Sequence, residues 1–240
     1  MNAVNSLVGS SQPNFDPTRL RDRFMRLYCG VLYDAMHFDL GYAGSFVLDA
    51  AVKPAFRTPG GPVMFGHAFT CKGRQVQHES EIDDTVRIKM FADFSDGCVQ
   101  VIDSGVDETV AHFGDISARI AQKFGAIGAV IDGNTRDLRF LEEFGFPVWC
   151  RAVQPVDAYG IWQIEAYQVP ISLRGLRETV EVTPNDYVFA DPDGVLVIPR
   201  GMAEDACAAA EQRLSRERII RSRVRSAEDI QALYDEIGRW

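Results

Sequence analysis

Residues His112–Pro147 read HFGDISARIAQKFGAIGAVIDGNTRDLRFLEEFGFP, and three changes of pattern within them decide the fold class. Gly114-Asp115 opens a helix predicted over Asp115–Phe124, with apolar Ile116, Ile120 and Phe124 spaced i, i+4, i+8 and Gly125 closing it. Ala126–Ile131 is apolar nearly throughout, the pattern of a strand buried on both faces. Asp132-Gly133-Asn134 predicts a sharp turn that delivers Arg136 and Asp137 to the start of a shorter helix, Asp137–Phe144, and Pro147–Cys150 then reads as the next strand. Helices alternating with buried strands imply parallel strands joined by crossovers, an α/β fold.

The same alternation extends toward the N-terminus, with a strand at Cys98–Ile102 and a helical pattern in Ile82, Val86 and Met90. A further strand is predicted at Val63–Cys71, beyond a Pro/Gly-rich stretch. Asp16-Pro17 reads as an N-cap and first helical residue, followed by Leu20, Phe24 and Leu27 on one helix face and a second helix over Val31–Phe38. Residues 1–15, rich in Ser and Asn, are expected to be mobile. Toward the C-terminus, short strands at Val169–Leu173, Thr179–Val182, Tyr187–Ala190 and Val195–Ile198 predict an antiparallel, barrel-like or sandwich-like second half. Residues 201–240 are charged and helical, so the expected organisation is one domain over 16–200 with a C-terminal extension expected to serve oligomer contact.

With 46% hydrophobic and 25% charged residues in 240, the chain has the composition of a globular protein and enough apolar residues for a core without staples. A net charge of −9 sets it against phosphate backbones, which argues against nucleic acid as a partner. Five scattered cysteines, with no C-x-x-C pair, suit reduced thiols in a cytoplasmic protein. The N-terminus lacks the pattern of a secretory signal, and no run approaches the ~18 apolar residues of a membrane span. Walker A, G-x-G-x-x-G, G-x-S-x-G and H-E-x-x-H patterns are absent. His78-Glu79 has no helical partner at i+4 and reads as solvated loop, and His112 reads as structural.

Two helix starts bearing carboxylates, Asp115 and Asp137, can face one crevice at the ends of parallel strands, where α/β proteins gather ligands. Arg136-Asp137 reads on one side as a surface ion pair with Asp137 favouring a helix N-terminus. On the other side, two carboxylates suit a hard divalent ion that keeps several waters, and a guanidinium suits a substrate carboxylate. No lysine falls within Gly125–Asp137, which argues against chemistry through a Schiff base.

GAIGAVIDGNTRD followed by GFPVW, the later ADPDGVLVIP and the early LYDAM resemble the RraA-like family, which includes metal-dependent 4-hydroxy-4-methyl-2-oxoglutarate aldolases as well as members that regulate ribonuclease by binding. The resemblance implies a swivelling β/β/α domain and a homotrimer or hexamer. It implies Asp137 as the ligand of Mg2+ or Mn2+, Arg136 as the residue holding the substrate carboxylate and developing enolate, and Asp115 acting through metal-bound water. The backbone of Gly114, Asp115, Ile116 and Ser117 would seat a pyruvate carboxylate. Glu217 of the C-terminal helix is the candidate acid lent to a neighbouring subunit. The implied reaction is C–C bond cleavage of a 4-hydroxy-2-oxo acid with release of pyruvate, and oxaloacetate decarboxylation as a side activity. The other reading the family allows is a non-catalytic regulator of a partner protein. LYCGVLYDAM and the charged stretch His78–Lys89 depart from the family pattern and leave the rest of the substrate open.

Overall fold

The first expected helix is present as α1 (Pro17–Phe24), with Leu20 and Phe24 buried. Asp16 and the N-terminal stretch 1–15 lie outside residues 17–57 and 61–238, which this computed structural model describes. The second helix, α2 (Cys29–Asp34), starts earlier than its sequence pattern predicts and continues as a π-helical turn, Ala35–Asp39. Its early start has a tertiary cause: the Cys29 N–H donates to Asp191 Oδ2 at 2.7 Å, from a strand 162 residues away.

The chain then runs through β1 (Lys53–Pro54), β2 (Met64–Gln75), α3 (Asp84–Ala92), β3 (Cys98–Asp103), β4 (Ala111–Phe113) and α4 (Asp115–Lys123). Next come β5 (Ala126–Thr135), α5 (Leu138–Phe144), β6 (Val148–Val153), β7 (Trp162–Tyr167), β8 (Ile171–Leu173) and β9 (Val180–Val182). A hairpin of β10 (Tyr187–Asp191) and β11 (Gly194–Ile198) precedes α6 (Ala203–Ser226) and α7 (Ile230–Ile237). The helix α3 begins after Ile82, at an Asp83 N-cap that accepts from the Thr85 N–H at 2.9 Å.

Among the described residues, nine strands join in one sheet, with the path β1-β6-β5-β3-β2-β10-β11 and with β4 on β5 and β7 on β2. The parallel pairs β2–β3, β3–β5 and β5–β6 are the α/β half read from the sequence. The pairs β2–β10 and β10–β11 are antiparallel, and β8–β9 forms a separate antiparallel pair, as the short-strand spacing predicts. The result is a mixed α/β swivelling domain with flanking helices and a helical C-terminus. The strand β7 was not predicted, although Trp162 and Ile164 alternate inward with Gln163 and Glu165.

Helices α3, α4 and α5 cover one face of the sheet over a core that includes Phe91, Phe113, Ile131 and Phe146. On the other side α1, α2 and α6 enclose a second core, in which Phe24 stacks on Phe65 with ring centroids 3.9 Å apart. The first turns of α6 belong to that core, because Ala203, Ala206, Cys207 and Ala210 are all buried. From Ser215 onward the same helix is mostly exposed.

The predicted turn at Asp132-Gly133-Asn134 is absent, because β5 continues to Thr135, with only a bulge against β6 between Ile131 and Asn134. Each turn-forming residue has a tertiary partner that offsets its local preference. Asp132 Oδ2 accepts from the Arg174 N–H at 2.7 Å, and Asn134 Nδ2 donates to the carbonyls of Glu108 and Val110 at 3.0 and 3.2 Å. Gly133 serves packing rather than turning, since a Cβ there would lie 2.5 Å from His112 Nδ1 and 2.9 Å from Ser104 Cβ.

Candidate active site

Running β5 four residues further shifts the chain reversal onto Arg136-Asp137. Asp137 is therefore not the first residue of a helix but the N-cap of α5, held at φ 64° and ψ 33°. A left-handed conformation costs a non-glycine residue on the order of 1 kcal/mol or more and is best tolerated by Asp and Asn. Its carboxylate gives the N-cap no side-chain hydrogen bond; it turns instead toward α4.

Strand β4 lies parallel to the end of β5 through Ala111–Asn134 and Phe113–Thr135, and the Arg136 N–H donates to the Phe113 carbonyl at 3.0 Å. This pairing brings the two helix starts together. The Asp115 N–H, in the first turn of α4, donates to Asp137 Oδ2 at 3.3 Å, and Arg136 Nε lies 3.5 Å from the same oxygen. Gly114 is required by the contact, because a Cβ there would sit 2.5 Å from Asp137 Oδ2 and 3.3 Å from Arg136 Cγ. Asp115 accepts from Arg119 Nε at 3.4 Å, and that guanidinium also lies over the Phe144 ring at 4.4 Å, fixing α4 to α5.

These groups open onto a cavity of about 360 Å³ beside the carboxyl ends of β4 and β5. Gly114, Asp115, Ile116, Ser117, Arg136 and Asp137 all line it, so six of the seven residues singled out from the sequence share one space. The seventh, Glu217, lies elsewhere in this chain: it accepts from the Tyr28 hydroxyl and from Arg221 Nη2, the latter at 2.6 Å. Tyr28 is pushed up in pKa first by burial and then by this carboxylate.

Sequence reasoning missed Asp157, which takes Arg136 Nη2 at 3.4 Å from the loop after β6. A carboxylate following a parallel strand was the available signal. The stretch that departs from the family pattern reaches the cavity as Ile82, Asp83, Asp84 and Arg87, while His78 and Glu79 remain exposed beside a short 3-10 turn, Glu79–Glu81. His112 is structural as read, its Nδ1 accepting from the Asn134 N–H at 3.1 Å, but it also lines the cavity. Burial lowers its pKa, and Asp107, with Oδ2 3.9 Å from Nε2, opposes that shift.

Among the described residues no group of three or more His, Cys, Asp or Glu forms a ready metal cage. A hard divalent ion with several waters needs only one or two carboxylates, and Asp137, about a third exposed with contacts no shorter than 3.3 Å, fits that demand.

A protein of Halalkalibacterium halodurans that bears the provisional name 4-hydroxy-4-methyl-2-oxoglutarate aldolase is 35% identical over 133 residues, 55% of this chain and 60% of that protein. The chain thus spans less than two thirds of that relative's length. A protein of Ectopseudomonas mendocina with the same provisional name is 30% identical over 155 residues, 63% of this chain and 87% of its own length. In structure, RraAS2 of Streptomyces coelicolor, an unusual member of the RNase ES inhibitor RraA family, superposes with a TM-score of 0.72 at 24% identity, over 88% of this chain and 98% of that one. The RraA-like profile, described as Aldolase/RraA, matches residues 31–197, from α2 to the end of β11 and with every cavity residue named above inside it. The chain belongs to the RraA-like, Aldolase/RraA family.

Proposed function

We propose that this protein is a divalent-metal-dependent lyase that cleaves a 4-hydroxy-2-oxo acid to release pyruvate, and that it decarboxylates oxaloacetate at the same site. The observation that carries this reading is the meeting of Asp137 Oδ2 with the first-turn N–H of Asp115 at 3.3 Å and with Arg136 Nε at 3.5 Å. A carboxylate, a guanidinium and a helix N-terminus there share one cavity.

Beyond the Asp115 N–H that Asp137 takes, the first-turn N–H groups of the nine-residue α4 suit the substrate carboxylate, since a helix N-terminus favours an anion. Arg136 places fixed positive charge where the 2-oxo oxygen becomes negative, a contribution worth about 3 kcal/mol in comparable sites. Asp137, with Asp115 behind it, would hold Mg2+ or Mn2+, which when bound supplies Lewis acidity to the 2-oxo acid. Asp115 orients the water that takes the proton from the 4-hydroxyl. The C3–C4 electron pair stays on C3, the hydroxyl carbon leaves as a carbonyl, and C3 then takes a proton to give pyruvate. The described cavity lining contains no lysine for an imine route.

The same reading makes the protein a homotrimer or hexamer in which Glu217 serves a neighbouring cavity. Support comes from the exposed half of α6, where the Glu217 side chain keeps 28% exposure despite its contacts within the chain.

The test is pyruvate release from oxaloacetate with Mg2+ and with excess chelator. Release that the chelator abolishes and added Mg2+ restores is expected. No release above the metal-only background would make the protein a binding member of its family.

A further inference from the structure

The pyruvyl group uses only one end of the cavity, and the opposite end is built differently. Its wall is Met90, Phe91, Ile102, Trp162 and Ile164, none more than 5% exposed. Gln100, in the middle of β3, projects among them at 2% exposure. Its Nε2 finds only sulfur, with Cys71 Sγ at 3.7 Å and Met90 Sδ at 3.8 Å, and its Oε1 has no hydrogen-bond partner. The thioether of Met90 can only accept, so the NH2 end faces it and the carbonyl end is the orphan. A buried amide left this way is destabilising, a cost that a leucine or methionine at the position would avoid.

The charge of the lining points the same way. Asp83, Asp84, Asp115, Asp137 and Asp157 contribute five carboxylates, against two guanidiniums from Arg87 and Arg136. Both guanidiniums are already engaged, Arg87 with Asp84 at 3.0 Å and Arg136 with Asp137 and Asp157 at 3.5 and 3.4 Å. Arg119, from outside the lining, also pairs with Asp115 at 3.4 Å, so five carboxylates meet three guanidiniums and none of the three is free. A second carboxylate beyond C4 of the substrate would therefore face carboxylates and find no free cation. At about 360 Å³ the cavity falls within the roughly 300–1,000 Å³ of sites that enclose much larger ligands than a three-carbon acid.

We infer that the inner end of the cavity selects a 2-oxo acid whose far end is uncharged and apolar, preferably aromatic, and carries one hydrogen-bond donor received by Gln100 Oε1. The inference rests on the proposed pyruvyl site for the near end only. It names the substrate class by its tail: a neutral aryl or alkyl group bearing a hydroxyl, in place of a second carboxylate.

Calorimetric binding to the Mg2+-loaded protein tests it with compounds that lack a 4-hydroxyl and cannot be cleaved. The set is pyruvate, 2-oxoglutarate, 2-oxo-4-phenylbutanoate and the three ring-hydroxylated isomers of the last. The phenyl compound is expected to bind at least about tenfold more tightly than 2-oxoglutarate. At least one hydroxylated isomer should bind more tightly still, and Gln100→Met should erase that gain while retaining affinity for the unsubstituted ring. Should Gln100→Met fail to melt cooperatively, Gln100→Leu replaces it, and the ranking of tails on the unmutated protein stands independently of either. Binding of 2-oxoglutarate as tight as that of the phenyl compound would overturn the inference, as would a hydroxyl gain that survives loss of Gln100. Absence of pyruvate binding with the ranking of tails intact would count against the near-end reading alone.

Discussion

Two aspartates five residues apart on one stretch of chain, Asp132 and Asp137, have opposite surroundings. Asp132 is inside β5 with its side chain 5% exposed, and it binds Arg174 through the backbone N–H at 2.7 Å and Nε at 2.9 Å, with Arg151 Nη1 at 3.3 Å. Asp137 lies just past the strand with its side chain 34% exposed, in a left-handed conformation, and its contacts are no shorter than 3.3 Å. The first carboxylate is satisfied by the fold; the second is positioned by the fold and left able to take a ligand. Strand residue and strand end thus separate a structural acid from the one we propose as functional, of the same chemical type.

Asp137→Asn should give the largest effect on chemistry and one of the smallest on stability. Asn tolerates the left-handed conformation equally well, so the melting curve should move by no more than about 1 kcal/mol. Mg2+ binding by calorimetry should vanish and turnover should fall on the order of 10³-fold. Asp132→Asn should do the reverse, costing about 3 kcal/mol in chemical denaturation because two arginines lose their buried partner. Activity per folded molecule should then stay within a few-fold of the unmutated protein.

Arg136→Lys sharpens the contrast inside the site. It keeps the charge and loses the planar fork, so Mg2+ affinity should persist while transition-state stabilisation drops by about 2 to 3 kcal/mol in kcat/KM. Glu217→Gln, read together with sedimentation, separates two roles. In a trimer that lends this acid to a neighbour, kcat should fall about tenfold with assembly intact. If Glu217 only joins Tyr28 to Arg221, kcat should be unchanged.

The smallest effect expected is on acid stability. Burial lowers the pKa of His112 below its unfolded value near 6.5. Above that value both states are neutral and the group contributes no pH dependence. As pH falls below it the unfolded chain takes up the proton first, so stability should decline toward the folded pKa by at most about 1.4 kcal/mol per unit from this group. His67, lowered mainly by burial as well, adds a similar slope, and His112→Gln should remove only its own share between pH 7 and 5.

The α/β half was legible because its strands are buried on both faces, so their apolar runs and the intervening helical periods stand out without tertiary knowledge. The end of β5 was not, since Asp132, Gly133 and Asn134 are turn residues by propensity and strand residues by partner. Those partners, Arg174, His112 and the carbonyls of Glu108 and Val110, lie 21 to 42 positions away. Gly114, Asp115, Arg136 and Asp137 still meet despite that error, because they were read as two converging helix starts, a relation that a shift of the turn does not disturb. Asp157 carries only the weak signal of a carboxylate following a strand, and Gln100 carries no local signal at all. One matters through its arginine and the other through a missing hydrogen bond, and both are properties of a folded cavity.

Exchange of pyruvate methyl protons with deuterated water, followed by proton NMR, tests the central claim most directly because it isolates activation of the 2-oxo acid from cleavage and from the identity of the tail. The expected result is Mg2+-dependent exchange that chelator stops, that Asp137→Asn abolishes and that Asp132→Asn, where folded, retains. Exchange at the buffer rate in the unmutated protein, or at an unchanged rate in Asp137→Asn, would contradict it and leave Arg136-Asp137 an ion pair at a helix start.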